Sequence, residues 1–136
     1  MFPPIEMLLP HRAPMRWIDA LTSCDETTAT ATACFEQGHF AVADGAVLES
    51  ALIECLAQTA AAAVGERARA RGQAGEHRGG MLAAVSNFRM LARPPLGKTL
   101  HFEVCEQKRF GAMLLISGSV SCEGQPIATG DLTLYA

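Results

Sequence analysis

Three side chains in this sequence have the types and the spacing that acid–base chemistry requires. Glu54 and Gln58 are four residues apart in an alanine-rich segment, and His39 lies upstream within Gly38-His39-Phe40. In a helix, this spacing places Glu54 and Gln58 on the same face. If that face is buried, the protonated carboxyl is favoured, because desolvation disfavours the charged carboxylate. A neutral carboxylic acid beside a neutral imidazole would form an acid–base pair.

A purely structural interpretation of the same residues stays open at this point. A glutamate in the first turns of a helix is commonly solvated and stabilised by the helix dipole. A lone histidine is more often structural than catalytic. Spacing alone does not decide between the two interpretations of His39 and Glu54.

Composition excludes several classes of protein. The chain has 136 residues, of which 49% are apolar and 18% charged, and these values are typical of one soluble globular domain spanning residues 1–136. A net charge of −3 argues against nucleic-acid binding, which needs a basic surface. No apolar run is long enough for a membrane span, and the first residues do not resemble a signal peptide, so we expect a cytoplasmic protein without a membrane partner.

The elements that must position these side chains are one helix and several strands. Residues 47–71, VLESALIECLAQTAAAAVGERARAR, contain no proline and one glycine, Gly65, and predict a long helix. Period-2 alternation predicts strands near residues 28–33, 81–90, 100–105, 114–120 and 132–134. The short turns at residues 108–111 and 123–126 indicate antiparallel neighbours.

An α+β architecture, with a single antiparallel sheet wrapped around the long helix, satisfies this order of elements. Alanine makes the helix thin on several sides, so a curved sheet can close around it. The alanines concerned are Ala51, Ala57, Ala60, Ala61, Ala62 and Ala63. Such a sheet leaves open edges, and pairing with a second subunit is the expected way to cover them.

Five short motifs in this order resemble the 3-hydroxyacyl acyl-carrier-protein dehydratases of the hotdog fold. They are LLPHRAPM at 8–15, QGHF at 37–40, ECLAQ at 54–58, RPPLG at 93–97 and ATGDL at 128–132. Together they span nearly the whole chain. The segment around Asp44-Gly45 and the C-terminal Leu-Thr-Leu-Tyr look closest to the dehydratase-like proteins of aryl-polyene pigment clusters.

The resemblance implies a hotdog fold that works as a dimer with active sites at the interface. It implies that His39 takes the α-proton of a 3-hydroxyacyl thioester and that Glu54, from the opposite subunit, protonates the departing hydroxyl, with Gln58 orienting the carboxyl. Backbone N–H groups near Glu49 and Ser50 would hold the thioester oxyanion. The family usually has Pro-Gly where this chain has Leu48-Glu49, and an acid there opposes an enolate. We expect neither a cofactor nor a metal site.

The expected partner is an acyl carrier protein bearing a 3-hydroxyacyl chain, or the corresponding CoA thioester. Carrier proteins are acidic, so basic residues near strand ends are candidates for binding them. These residues are Arg89, Arg93, Lys98, Lys108 and Arg109. The alternative interpretation is a scatter of solubilising charges. We expect a homodimer or a larger assembly, or a heterodimer with a related subunit.

Three functions remain open from the sequence. The first is a dehydratase that gives a trans-2-enoyl thioester in fatty-acid or polyene-type biosynthesis. The second is a thioester hydrolase of the same fold, in which the helix carboxylate activates water. The third is a non-catalytic subunit that supports an active dehydratase, an interpretation that Glu49 favours. His11 is assigned to a packing or turn position, His77 to a solvated glycine-rich loop, and His101 to an exposed position or a subunit contact.

Overall fold

The computed structural model describes residues 2–9, 15–73 and 81–135. Their elements, in chain order, are a short 3-10 helix at Ile5–Met7, β1 at Ala20–Cys24, β2 at Thr28–Cys34, β3 at Val42–Ala43, β4 at Ala46–Val47, α1 at Glu49–Ala70, β5 at Met81–Met90, β6 at Thr99–Phe110, β7 at Met113–Cys122 and β8 at Gln125–Tyr135. The predicted helix and the predicted strands are therefore all present.

One six-stranded sheet has the order β1-β2-β6-β7-β8-β5, and every neighbouring pair is antiparallel. Helix α1 contacts all six strands of this sheet. Its alanines from Ala60 to Ala63 are at most 2% exposed, because consecutive positions face consecutive parts of the curved sheet. The expectation of a sheet wrapped around one alanine-rich helix is confirmed.

The helix begins two residues later than predicted, at Glu49 rather than Val47. Val47 belongs instead to β4, where it pairs with Val42 of β3 in a small hairpin. Asp44 and Gly45 form the turn of that hairpin with φ of 53° and 74°, a left-handed pair that matches a tight two-residue turn. This hairpin carries the chain from the His39 region directly to the beginning of α1.

Two other boundaries also differ from the prediction. Lys108 and Arg109, assigned to a turn, extend β6 to Phe110, and the turn follows at Gly111. Gln125 and Pro126 begin β8, so the preceding turn consists of Glu123 and Gly124, both with positive φ. The strands are longer than expected because cross-strand hydrogen bonds continue beyond the segments that alternate in hydrophobicity.

The N-terminal segment packs against the helix where the helix has no side chain. A Cβ atom added at Gly65 would lie 2.5 Å from the backbone oxygen of Leu8. Leu8 and Leu9 are each 2% exposed and belong to the core. Gly65 therefore permits a backbone approach that any other residue would block.

Candidate active site

Gln58 is the best-connected side chain of the candidate site. It is fully buried, and its Oε1 accepts hydrogen bonds from the backbone N–H groups of Trp17 (2.9 Å) and Ile18 (3.3 Å). Its Nε2 donates to the backbone oxygen of Met15 (2.7 Å) and to Oε2 of Glu54 (3.1 Å). Because Oε1 faces two N–H groups, the orientation of the amide is fixed. Gln58 thus joins the segment after the first motif to the carboxyl of Glu54.

Glu54 lies one helical turn before Gln58, as the spacing predicts, and its carboxyl is half-buried. The condition that this face of α1 be buried is met in full at Gln58 and only in part at Glu54. Gln58 holds Oε2 as a hydrogen-bond acceptor, so the rotamer of Glu54 is constrained. The carboxyl is therefore both constrained in position and reachable from solvent.

His39 lies in a compact turn between β2 and β3, and it is half-buried. Its ring nitrogen Nδ1 accepts a hydrogen bond from the backbone N–H of Ala41 (2.9 Å). The ring also packs edge-on against Phe35, with centroids 4.9 Å apart and an interplanar angle of 87°. Gly38, with φ of 92°, provides the left-handed backbone conformation that begins this turn. The orientation of the imidazole is thus fixed on two sides.

Trp17 connects the two parts of the candidate site, and sequence reasoning did not single it out. Its backbone N–H is bonded to Gln58, and its ring packs against the ring of His39 at 6.4 Å. It also contacts the exposed ring of Phe40 at 6.3 Å. Trp17 is the only tryptophan of the chain and is the second residue after the first motif, a signal that could have drawn attention to it.

Ala41 connects His39 to the beginning of the helix. Its N–H is bonded to the imidazole, and its carbonyl accepts from the N–H of Leu48, which caps α1 without a side-chain hydrogen bond. Glu49 and Ser50 are the first two helical residues, and both are exposed. The residues predicted for the oxyanion region are therefore at the surface. They directly follow Leu48, which is linked to His39 through the two hydrogen bonds of Ala41.

A cleft of about 440 Å³ lies against this end of α1. It is lined by Ala46, Val47, Glu49, Met90, Leu91, Ala92, Arg93 and Pro94. A second cleft of about 430 Å³ adjoins it through Arg93, and Lys98 and Gln125 are on its wall. Both clefts open at the end of the sheet where α1 begins.

The five basic candidates do not form one patch. Arg93 and Lys98 lie at the end of the sheet where α1 begins, and Lys98 pairs with Glu123 at 2.8 Å. This pairing raises the pKa of Lys98 and lowers that of Glu123. Lys108 and Arg109 lie roughly 34 Å further along β6, at 3.4 Å per residue. There, Lys108 covers the ring of Phe110 and Arg109 pairs with Glu106. Arg89 lies on β5, in a separate polar cleft with Asn87 and Asp131.

Other reactive side chains have structural surroundings. Burial raises the pKa of the Cys55 thiol well above its ordinary value, and the nearby carboxylates of Glu54 and Asp19 add to this effect. Cys55 is therefore a protonated, apolar core residue. His101 is exposed on β6, as expected. His11 and His77 lie outside the described residues.

Across residues 2–9, 15–73 and 81–135, no cluster of His, Cys, Asp and Glu could hold a metal, and no helix is long and apolar enough to span a membrane.

Comparison with known proteins identifies one family model that matches nearly the whole chain. The family model described as ApeP-like, ApeP dehydratase, matches residues 3–136. A search of curated proteins found no match.

Solved structures share the fold at low sequence identity. A chain of the dehydratase heterocomplex ApeI:P from Xenorhabdus doucetiae has a TM-score of 0.90 and 22% identity, over 99% of this chain and 91% of that one. The homologue of HP0420 from Helicobacter felis has a TM-score of 0.72 and 14% identity, over 98% and 90% of the two chains. The PaaI protein of E. coli has a TM-score of 0.66 and 13% identity, over 85% and 81%. The expected hotdog fold is confirmed.

Proposed function

Since the chain belongs to the ApeP-like dehydratase family, we propose that it eliminates water from a 3-hydroxyacyl thioester on acyl carrier protein, as one subunit of a paired hotdog enzyme. The product is the trans-2-enoyl thioester, as an intermediate of fatty-acid or polyene-type biosynthesis. The observation that carries this proposal is the fully buried Gln58, which constrains the carboxyl of Glu54 beside the segment that contacts His39. Elimination needs a group that moves a proton and a group that donates a hydrogen bond to the thioester oxygen. Glu54 is proposed for the first role and His39 for the second.

A second subunit on β5 is the assembly that the surface supports best. Within the described residues, β5 pairs only with β8, so its other edge is open. Val85 of β5 and the neighbouring Leu91 are 38% and 50% exposed, although both are apolar. An open edge with exposed apolar side chains favours pairing with another strand. Because a chain of a dehydratase heterocomplex has the same fold, we propose a related hotdog subunit as the partner, with a second copy of this chain as the alternative.

Arg93 and Lys98 are the basic residues that we propose for binding the carrier protein. They line adjoining clefts at the beginning of α1. His39 lies near the same end of the helix, because the neighbouring Ala41 accepts a hydrogen bond from Leu48, the residue before α1. Lys108 and Arg109 are at the opposite end of β6 and do not serve this site.

Charge reversal tests this proposal on the carrier protein. Replacing Arg93→Glu and Lys98→Glu together should raise KM for the carrier-linked substrate about tenfold, while KM for the CoA thioester changes little, since only the carrier presents a large acidic surface. Arg71→Glu, an exposed arginine just beyond α1, is the matched control. Equal KM values for the carrier-linked substrate in the double variant and the wild type would remove these residues from the binding surface.

The proposed activity is tested with the purified chain, alone and mixed with a related hotdog subunit of the same source. A 3-hydroxyacyl thioester on carrier protein is supplied, and mass spectrometry follows loss of one water. We expect the enoyl product with the wild type and none with Glu54→Gln, which keeps the shape of the side chain but cannot move a proton. Glu26→Gln, at an exposed turn, is the matched control and should retain full turnover.

Two other outcomes identify different functions. Release of free thiol without water loss would identify a thioester hydrolase. Product that forms only in the mixture, and at equal rates with wild type and Glu54→Gln, would identify a non-catalytic subunit. The exposed carboxylate of Glu49 in the first turn of α1 favours the non-catalytic subunit, because a negative side chain there would repel a negative substrate oxygen near the helix N-terminus.

A further inference from the structure

The hydrogen bonding of His39 determines which of its ring nitrogens carries the proton. Nδ1 lies 2.9 Å from the backbone nitrogen of Ala41, whose N–H points at it. A backbone amide nitrogen is only a donor, so Nδ1 must be the acceptor and must be unprotonated. Ala41 is fully buried, and water therefore cannot replace this acceptor. A neutral His39 consequently carries its proton on Nε2.

The backbone around His39 holds the ring in this orientation. The His39 N–H donates to the carbonyl of Glu36 at 3.0 Å, and its own carbonyl accepts from the N–H of Val42 at 3.0 Å. The ring edge is packed against Phe35, which is fully buried. Rotating the imidazole by 180° would place a C–H group against the Ala41 N–H and leave this buried donor unsatisfied, which disfavours the rotated ring.

An imidazole in this state is a hydrogen-bond donor and not a base. Nδ1 is occupied by the amide of Ala41, and Nε2 already bears hydrogen. No hydrogen bond to Nε2 is found within residues 2–9, 15–73 and 81–135, so its N–H is available to a ligand. The resemblance implies that His39 takes the α-proton, but in this orientation neither nitrogen can accept it.

We propose that His39 donates its Nε2–H to the thioester oxygen and that Glu54 alone moves the proton, an assignment that rests on the proposed dehydratase function. The Glu54 carboxylate takes the α-proton, and the C–H electron pair forms the enolate, whose oxygen His39 stabilises. The enolate electrons then form the C2–C3 double bond, and the C3–O bond breaks. The proton held by Glu54 joins the departing hydroxide as water, and the carboxylate is restored.

The charge at the beginning of α1 is consistent with this division of roles. Glu49 is the first helical residue and is exposed, so a negative side chain accompanies the helix N–H groups that would otherwise hold the oxyanion. A neutral N–H from His39 supplies a hydrogen bond to the thioester oxygen without depending on those groups. Removal of one such donor typically costs about 100- to 1000-fold in kcat.

NMR of the protein without substrate tests the protonation state directly. Long-range 1H–15N spectra of 15N-labelled protein are recorded at a pH high enough for histidine side chains to be neutral. The signals of His39 are assigned as those lost in the His39→Gln variant. We expect an unprotonated Nδ1 and a protonated Nε2. The reverse pattern would overturn the proposal. This readout does not need turnover, so it decides the tautomer of His39 even if the dehydratase proposal fails.

Paired substitutions test the role in turnover. His39→Gln retains an N–H donor but is no base, whereas His39→Phe has neither property. We expect His39→Phe to lose about 100- to 1000-fold in kcat and His39→Gln to recover at least about tenfold of that loss. Equal losses in both variants would overturn the donor role. His101→Gln, on the exposed face of β6, is the control and should match the wild type.

Discussion

At the scale of single residues, Gln58 is both a structural and a positioning residue. The side chain is fully buried and makes four hydrogen bonds, three of them to backbone groups of residues 15–18. The bond to Ile18 is buried, and those to Trp17 and Met15 are partly buried. The fourth is made to Glu54. A buried side chain that satisfies three backbone groups contributes to stability whether or not the chain is an enzyme. The catalytic and the structural interpretations of this residue therefore do not exclude each other.

Replacing Gln58→Leu should lower the free energy of unfolding by about 1–3 kcal/mol, because the N–H of Ile18 is left without a partner in the core. The partly buried groups of Trp17 and Met15 lose their partner as well. Chemical denaturation followed by circular dichroism measures this change. Gln125→Leu, at an exposed position, is the control and should change stability by less than about 0.5 kcal/mol. A similar small change in both variants would contradict the buried network.

The tautomer of His39, unlike the contact between Gln58 and Glu54, cannot be predicted from a sequence pattern. The motif Gly38-His39-Phe40 indicates a histidine of chemical interest, but it does not specify the tautomer. The tautomer depends on Ala41, a residue with no side-chain chemistry, because its backbone N–H points at the ring. The role of a histidine is thus decided by the backbone that faces it.

At the scale of elements, the contact between α1 and the N-terminal segment depends on one glycine. Gly65 is in the interior of a 22-residue helix, where alanine would ordinarily be preferred by about 1 kcal/mol. The backbone of Leu8 occupies the space that a Cβ atom would need. The position of residues 5–9 is set by this contact.

Replacing Gly65→Ala should lower the free energy of unfolding, although helix propensity alone predicts an increase. Overpacking against a rigid backbone costs about 1–3 kcal/mol, which exceeds the gain in propensity. Thermal and chemical denaturation measure the net loss. Ser50→Ala, an exposed position on the same helix, reports the gain in propensity without the clash. A Gly65→Ala variant as stable as Ser50→Ala would show that residues 8 and 9 do not pack there.

At the scale of the whole molecule, the open edge of β5 is where we propose that a second subunit pairs. The opposite edge, β1, is short and interrupted by a bulge between Leu21 and Ser23, which disfavours pairing. β5 is ten residues long and has Val85 exposed near its middle. Of the two sheet edges in the described part of the chain, β5 is therefore the one suited to extension by another strand.

Replacing Val85→Lys should reduce the assembly to single chains, because a charge at a paired edge is desolvated without compensation. Light scattering after size-exclusion chromatography measures the mass, with circular dichroism to verify folding. Thr22→Lys on β1 is the matched control and should leave the mass unchanged. If the mass falls with Thr22→Lys and stays the same with Val85→Lys, association occurs at the other edge.

The sequence by itself determined the class of the protein and most of its elements. The alanine-rich segment predicted α1 and its embedding in the sheet, since small side chains permit close approach on every side. Period-2 patterns predicted the strands, and the i, i+4 spacing predicted the contact between Glu54 and Gln58, because both depend only on local geometry.

The tertiary structure decided what depends on contacts between residues distant in the sequence. Trp17 joins Gln58 to His39, Leu8 lies against Gly65, and the basic residues separate to opposite ends of β6. The later beginning of α1 follows from the pairing of Val47 with Val42. No periodic pattern of residues in the sequence predicts these contacts. Each one joins two segments whose own sequence patterns are independent of each other.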